Sequence, residues 1–451
     1  MNILILNGSP KGQYSITLQT VNYLMLLHPK HRWEVLHVGR RIKSLAKDFT
    51  PAVEAVKRAD LLLFAYPVYT FLAPSQLHRF IELLKAAGVS AEGKFATQIT
   101  TSKHFYDVTA HRYIQDNCQD MGMKFIRGLS ADMDDLLTDK GQGEASAFFD
   151  HVLWSMKRDI YESAPTPQPA GERIPAVVPP SAEKTKGDVV IVTDCAPEDA
   201  QLSGMIERFR AVMPLKTRVV NLREYPFAGG CLGCFNCAVS GECVYKDGFD
   251  EFLRGSIQTA QAIVYAFTIR DHSMGALFKL YDDRQFCNGH RTVTMDMPVG
   301  YLISGDYSRE FNLQMVVEAR AQVGGNHLAG VATDEQNTDA AVNNLARSLC
   351  YALKNKYTQP QNFWGVGGMK IFRDLIWVMQ GMMKADHKFY KEHDQYDFPQ
   401  KQKGTIRKMY LVGALLSVPA VKKKLGNKMN EGMLAPYKKV LDAAEKKQNE
   451  P

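Results

Sequence analysis

The most concentrated chemistry in the sequence lies at four closely spaced cysteines. Cys231, Cys234, Cys237 and Cys243 follow the spacing C-x2-C-x2-C-x5-C. Three thiolates within seven residues must converge on one small object, and compact runs of this kind are typical of iron–sulfur clusters. Zinc sites more often pair two C-x2-C units across a dozen or more residues. The spacing favours a cluster, with zinc and a metal-free role as the alternatives.

A second reactive segment follows the first apolar run of the chain. Its candidate binding residues are Ser9, Lys11, Ser15, Ile16 and Thr17. At the start of a helix, free backbone N–H groups and the helix dipole favour an anion. Hydroxyl groups add donors and Lys11 adds positive charge. The segment has neither the G-K-[ST] ending of a P-loop nor the G-x-G-x-x-G of a dinucleotide site. We therefore predict a phosphate-binding loop, with an N-capping turn that binds nothing as the alternative.

These segments sit within two blocks in which strand-like and helix-like patterns alternate. Such alternation predicts parallel sheets joined by crossover helices. The expected strands are residues 2–6, 33–38, 59–65, 94–100 and 124–129, then 188–193, 217–221, 262–267, 293–303 and 328–332. The second block has the length and rhythm of the first, which indicates a tandem duplication. We expect domains at 1–160 and 187–357, a proline-rich linker at 161–186 and a helical, basic extension at 358–451.

The first block resembles the NADPH-dependent FMN reductase and flavodoxin-like families. One part of the resemblance is the motif G-S-P-K, followed by S-x-T, after the first strand. The other part lies after the third strand, where P-V-Y is followed by a proline and by Q-L-H-R-F-I-E. In this second motif Arg79 replaces the Lys of the family pattern and Glu82 replaces its Asp. The resemblance implies a doubly wound parallel sheet that binds FMN at the carboxyl ends of its strands. It also implies that two further loops complete the site, through Pro67, Val68 and Tyr69, and through Thr101, Ser102, His104 and Tyr106.

The four-cysteine spacing, placed after the second strand of the second block, resembles the iron–sulfur flavoprotein family, whose members carry a 4Fe–4S cluster and FMN. Each block departs from that family in a different way. The first has no cysteine at the cluster position, and the second has acidic residues, Asp194 and Asp199, in its first loop. In the single-domain family, two subunits can bring a cluster close to a flavin. We therefore hypothesise that this chain fuses such a pair, with the cluster of the second domain facing the FMN of the first.

The resemblance implies an enzyme, an NAD(P)H-dependent flavin oxidoreductase. Electrons would pass between a nicotinamide, FMN and a 4Fe–4S cluster to a small acceptor such as a quinone, or to a redox protein. The alternative is an electron-transfer protein with no small-molecule substrate of its own. No catalytic side chain is singled out, because the cofactor carries this chemistry.

The charge and the hydropathy of the sequence limit the kinds of partner that we expect. The net charge is +7, and residues 401–451 hold 12 basic and four acidic side chains, so the rest of the chain is close to neutral. We expect no nucleic-acid partner, peripheral membrane contact through the basic tail as one option, and a monomer or homodimer. The sequence shows neither a secretory signal nor a spanning segment, so a cytoplasmic protein is expected and disulfides are not.

Overall fold

The computed structural model describes residues 1–166, 168–181 and 183–421, together with 434, 437, 438, 440–442 and 446. The chain divides into two compact units, residues 1–390 and 391–451. Within the described residues, no helix is both long and apolar enough to cross a membrane.

The first domain is built on a parallel sheet with strand order β2-β1-β3-β4-β5, and a short strand β6 also pairs with β4. The strands are β1 (Asn2–Asn7), β2 (Arg32–Leu36), β3 (Leu61–Pro67), β4 (Phe95–Ser102), β5 (Lys124–Phe125) and β6 (Leu129–Asp132). The helices are α1 (Ile16–Leu27), α2 (Val38–Leu45), α3 (Thr50–Arg58), α4 (Ser75–Ala86), α5 (Asp107–Asp120) and α6 (Asp139–Arg158). Residues 61–66 of β3 are buried throughout, because helices cover both faces of the sheet.

The second domain repeats this topology with strand order β8-β7-β9-β10-β11, again all parallel. Its strands are β7 (Thr185–Thr193), β8 (Leu215–Asn221), β9 (Ala262–Thr268), β10 (Pro298–Ser304) and β11 (His327–Thr333). Its helices are α7 (Ala200–Val212), α8 (Asn236–Ser240), α9 (Phe249–Phe252), α10 (Gly275–Arg284), α11 (Phe311–Gly324) and α12 (Thr338–Asn355). The predicted fold class of two tandem flavodoxin-like sheets is confirmed.

The helical extension contains α13 (Phe363–Val378), α14 (Lys384–Glu392) and α15 (Lys403–Leu416). Part of the basic tail, including the lysines at positions 422–424, lies outside the described residues. Most of the linker has no regular structure, and it is fastened to the second domain. Arg173 pairs with Asp306 at 2.6 Å, and the N–H of Ile174 donates to the carbonyl of Asp334 at 2.8 Å.

Two strands differ from the sequence-based boundaries. The expected strand at 124–129 is split into β5 and β6, and residues between them pass close to β4. A Cβ on Gly128 would lie 2.3 Å from Cγ of Gln98, so only glycine fits there. The expected strand at 293–303 begins at Pro298 instead, because the residues before it form turns, with Met295 N–H donating to Thr292.

The two domains pack through α4 and α10, which occupy equivalent positions in the two repeats. The N–H of Ser75 donates to Asp283 at 2.7 Å, and the N–H of Ala276 donates to Glu82 at 2.7 Å. Each helix thus places a carboxylate at the N-terminus of the other, where the dipole favours negative charge. This reciprocal pairing is the arrangement of a two-fold symmetric dimer, realised here within a single chain.

A histidine also joins the domains and makes their stability depend on pH. His272 contacts Asp120 of the first domain and Glu310 of the second, each at 2.9 Å. Hydrogen bonds to these carboxylates outweigh burial and raise the pKa of His272 to about 10. The stabilisation is fully present below the ordinary histidine pKa of about 6.5 and is lost as pH rises towards 10.

We therefore expect His272→Gln to flatten the pH dependence of stability. Between pH 6 and pH 9.5 the natural chain should lose about 1–2 kcal/mol more unfolding free energy than the variant, a value reduced because Asp120 is half exposed. Urea unfolding at the two pH values measures this difference. Equal losses in the two proteins would show that His272 is not the responsible group.

Candidate functional site

One cavity of about 400 Å³ contains most of the residues singled out in the sequence. Its first-domain lining includes ten of the predicted binding residues: Ser9, Lys11, Ser15, Ile16, Thr17, Pro67, Val68, Tyr69, Thr101 and Ser102. Its second-domain lining includes all four predicted metal ligands, Cys231, Cys234, Cys237 and Cys243. The fold thus brings together two groups of residues that lie more than 120 positions apart.

Loop 1, residues 7–17, presents free donors to the cavity at the start of α1. Ser15 caps the helix, because its Oγ accepts from the N–H of Leu18 at 3.3 Å. The N–H groups of Ile16 and Thr17 have no hydrogen-bond partner among the described residues. The capping turn and the anion site therefore coexist, since capping uses one N–H and leaves two others available.

The side chains of loop 1 reach both other parts of the site. The hydroxyl of Thr17 hydrogen-bonds that of Thr101 at 2.7 Å, which ties loop 1 to the end of β4. Lys11 Nζ lies 5.7 Å from the ring centroid of Phe235, a residue between the second and third cysteines. A ligand anion at loop 1 would therefore meet a cation held against the cysteine segment.

Loop 2, residues 66–75, is anchored by a buried ion pair from the second domain. Lys279, which is fully buried, donates to the carbonyl of Tyr69 at 3.0 Å and to the hydroxyl of Thr70 at 2.6 Å. It also pairs with Asp283, which in turn accepts from the N–H of Ser75. Thr70 and Phe71 both have positive φ, 43° and 69°, a strained geometry that external anchoring can maintain.

Loop 3, residues 100–107, delivers only part of its predicted set to the cavity. Thr101 and Ser102 line it, whereas His104 and Tyr106 do not. His104 is half exposed and contacts Ser130 at 3.3 Å. Tyr106 is buried in an aromatic group with its ring centroid 5.2 Å from that of Phe71.

The cysteine segment, residues 229–243, packs directly against loop 2. The side chain of Gln76 donates to the carbonyl of Cys231 at 3.1 Å. A Cβ on Gly233 would lie only 2.0 Å from the hydroxyl of Tyr69, and Gly233 has a φ of +60°. Lys43 donates to the carbonyl of Ala228 at the start of the segment. Glycine at 233 is thus required by the close approach of a first-domain tyrosine.

Arginines hold both ends of the cysteine segment. Arg284, the largest fully buried side chain, donates to the carbonyl of Gly229 at 2.9 Å and pairs with Asp247 at 2.7 Å. Arg254 donates to the carbonyls of Gly241 at 2.6 Å and Cys287 at 2.8 Å. Bonds to main-chain carbonyls from both sides fix the path of the backbone that carries the thiols.

The thiols of the cysteine segment are not preassembled around a metal position. Among the described residues, no group of three or more His, Cys, Asp or Glu side chains is arranged to hold a metal ion. Burial, followed by the charge of Asp386, raises the pKa of Cys237 to about 11. Burial raises the pKa of Cys231 further still. These thiols therefore carry protons in the metal-free chain, and a metal centre would have to displace them.

Helices α13 and α14 cover the cavity at its second-domain side. Phe372 and Leu375 of α13 line it. Asp386 of α14 is fully buried, lies 3.1 Å from Nδ1 of His290 and pairs with Arg291 at 3.5 Å. The first part of the extension therefore contributes to the wall of the cavity, although Cys234 of the cysteine segment stays exposed.

The second domain closes its own counterpart of loop 1. Asp199 accepts from the N–H of Ala196 at 2.9 Å, a donor that would otherwise face a phosphate. Arg270 pairs with Asp199 at 3.4 Å. Burial raises the pKa of Asp194 to about 7. Internal carboxylates therefore take up donors of this loop, whereas the N–H groups of Ile16 and Thr17 in loop 1 have no partner among the described residues.

Sequence reasoning missed the second-domain residues that complete the site. Lys279 carries no local signal, because a lysine within an amphipathic helix is ordinarily a solvated one. Phe235 was passed over as a spacer between cysteines. Gln76 belongs to the Q-L-H-R-F-I-E motif of the sequence, at the start of α4. Its hydrogen bond to the cysteine segment forms only when the two domains dock, so the sequence alone does not indicate it.

Residues 1–135 match a family model described as a flavodoxin-like fold. No curated protein matches the sequence. Among solved structures, an NADH:FMN oxidoreductase in its apo form is 20% identical over 36% of this chain and 91% of its own, with a TM-score of 0.30. An NADPH-quinone reductase from P. pentosaceus is 14% identical over 34% and 97%, with a TM-score of 0.28. An NAD(P)H:quinone oxidoreductase from Methanothermobacter marburgensis is 14% identical over 37% and 99%, with a TM-score of 0.27.

Proposed function

We propose that this chain is an NAD(P)H-dependent flavin oxidoreductase that holds FMN on the first domain and a 4Fe–4S cluster on the second. The observation that carries the proposal is the single cavity lined by loops 1–3 and by all four cysteines. The proposal places electron transfer within the chain, between sites on its two domains.

The residues of the first domain fit FMN. Free N–H groups at Ile16 and Thr17, with Lys11 beside them, suit a terminal phosphate. Pro67, Val68 and Tyr69 border the space where a planar ring would lie. When bound, FMN would accept a hydride and release single electrons. The role of the protein is to orient the ring, and Lys279 supports that role by fixing loop 2.

The cysteine segment fits a cluster better than zinc. The spacing C-x2-C-x2-C-x5-C is typical of a cluster, because zinc sites more often pair two C-x2-C units across a dozen or more residues. Arg284 and Arg254 fix the backbone of the segment, and Tyr69 closes it on the flavin side. Nearby guanidinium groups would also stabilise added negative charge.

Anaerobic purification followed by visible spectroscopy and counts of iron, sulfide and flavin tests this proposal. We expect one FMN and one four-iron cluster per chain, and NAD(P)H oxidation with an artificial acceptor. A protein that holds both cofactors and does not turn over nicotinamide would be a carrier alone. A colourless protein would refute the proposal.

Lys11→Gln should weaken FMN binding through the phosphate alone. We expect about a tenfold higher Kd for FMN and no change for riboflavin, which lacks the phosphate. Titration of the flavin-free chain with both ligands measures this. Lys43→Gln is the matched control, because Lys43 is a basic neighbour bonded to Ala228 and does not line the cavity. Equal weakening of riboflavin would show that Lys11 shapes the loop instead.

A further inference from the structure

The cavity continues beyond the cysteine segment into the interior of the second domain. Residues from β9, β10, α10 and α11 line this inner part, among them Tyr265, Tyr301, Phe278 and Arg320. The side chain of Arg320 keeps 25% of its surface accessible. Its neighbours on the same helix, Val316 and Val317, are buried. The open surface of Arg320 therefore faces the cavity.

A polar group with unused hydrogen-bonding capacity lies in this inner part. Arg320 pairs with Asp282 at 2.8 Å, which leaves most of its five N–H groups without a partner among the described residues. Asp282 is 4% exposed, and its Oδ2 accepts no hydrogen bond, although Nζ of Lys279 lies 3.5 Å from it. The hydroxyl of Tyr301 likewise makes none with the described residues. Buried polar groups are ordinarily satisfied, so this group calls for a ligand.

The surroundings define the chemistry of that ligand. Arg320 and Lys279 balance the charges of Asp282 and Asp283, so an ionic ligand would remain unpaired in a buried site, at high cost. Tyr265 and Tyr301, with ring centroids 5.3 Å apart, form aromatic walls beside Phe278. Such walls suit a flat molecule. The donors Arg320 and Tyr301 need an oxygen acceptor on it.

We propose that this inner part of the cavity is a binding site for a neutral, planar aromatic carbonyl compound. The carbonyl oxygen accepts from Arg320 and Tyr301, and the ring lies against Tyr265 and Phe278. The proposal concerns binding and goes beyond the proposed function. If that function holds, the bound compound shares the cavity with the cysteine segment and loop 2.

Two probes that the protein is not expected to reduce test the site, namely 1-acetonaphthone and naphthalene, which lacks the carbonyl. Equilibrium dialysis against the FMN-loaded full chain should give one site per chain with about tenfold tighter binding of the ketone, the effect of one to two hydrogen bonds. Tyr301→Phe should reduce that preference several-fold, and Arg320→Leu should abolish it. Because Arg320→Leu leaves Asp282 with only the 3.5 Å ion pair to Lys279, the double variant Arg320→Leu/Asp282→Leu guards against misfolding.

Tyr281→Phe is the matched control, because Tyr281 is a buried tyrosine on α10 that does not line the cavity. It should keep the full preference for the ketone. Equal binding of the two probes, or a preference that survives in both Tyr301→Phe and the double variant, would overturn the proposal. So would competition between the ketone and FMN, since that would place the probe on loops 1–3. None of these outcomes depends on nicotinamide turnover or on a cluster.

Discussion

Cys237→Ala is expected to remove the iron and sulfide of the chain and to leave its flavin in place. Cys237 lines the cavity within the cysteine segment, whereas the residues assigned to FMN belong to the first domain. If the four thiolates hold the proposed cluster, loss of one removes a quarter of the ligands of that cluster. The measured result should be iron below a tenth of the unaltered level, with FMN content unchanged.

Cys287→Ala is the control for this substitution. Cys287 is buried, lines the same cavity and has its pKa raised by burial to about 12, but it lies outside the C-x2-C-x2-C-x5-C spacing. The variant should keep its iron. Iron loss in both variants would mean that packing around the thiols, not ligation, controls metal content. One zinc per chain in place of iron would refute the cluster and leave the FMN proposal standing.

The sheets were predictable because their signal is local. Apolar runs such as residues 61–66 are buried on both faces, and their alternation with helices fixes a parallel topology. The split between β5 and β6 was not predictable in the same way. It depends on the approach of Gly128 to Gln98, a contact with a different strand that no local pattern encodes.

The residues of the candidate site also fall into those that local sequence signals indicate and those that depend on tertiary contacts. Ten loop residues and four cysteines could be selected from residue type, spacing and the family resemblance, and the fold brings them to one cavity. The sequence did not predict that the side chains of His104 and Tyr106 lie outside the cavity. Both have positive φ, 53° and 59°, which turns neighbouring side chains in directions that a regular extended or helical loop would not. The contribution of α10 was equally hidden, because it requires the docked domains.

Lys279→Met is expected to destabilise the chain by about 3 kcal/mol and to weaken FMN binding. Lys279 and Asp283 are fully buried, and removal of one partner leaves an uncompensated charge. Burial already raises the pKa of Asp283, and loss of the lysine charge would raise it further. The carbonyl of Tyr69 and the hydroxyl of Thr70 would lose their donor, so loop 2 would be less ordered and the FMN Kd about tenfold higher.

A double variant separates the stability effect from the positioning effect. Lys279→Met/Asp283→Leu replaces the buried pair with apolar side chains of similar size, which often restores stability. Its urea midpoint should approach that of the natural chain, yet its FMN affinity should stay low because loop 2 still lacks its anchor.

Lys85→Met is the control at the same interface, since its partly exposed pairs with Asp120 and Asp271 contribute below about 1 kcal/mol. If FMN affinity returned together with stability, loop 2 would be ordered by domain packing alone. An affinity that stays low in a stable protein would establish that a side chain of the second domain positions the flavin loop of the first.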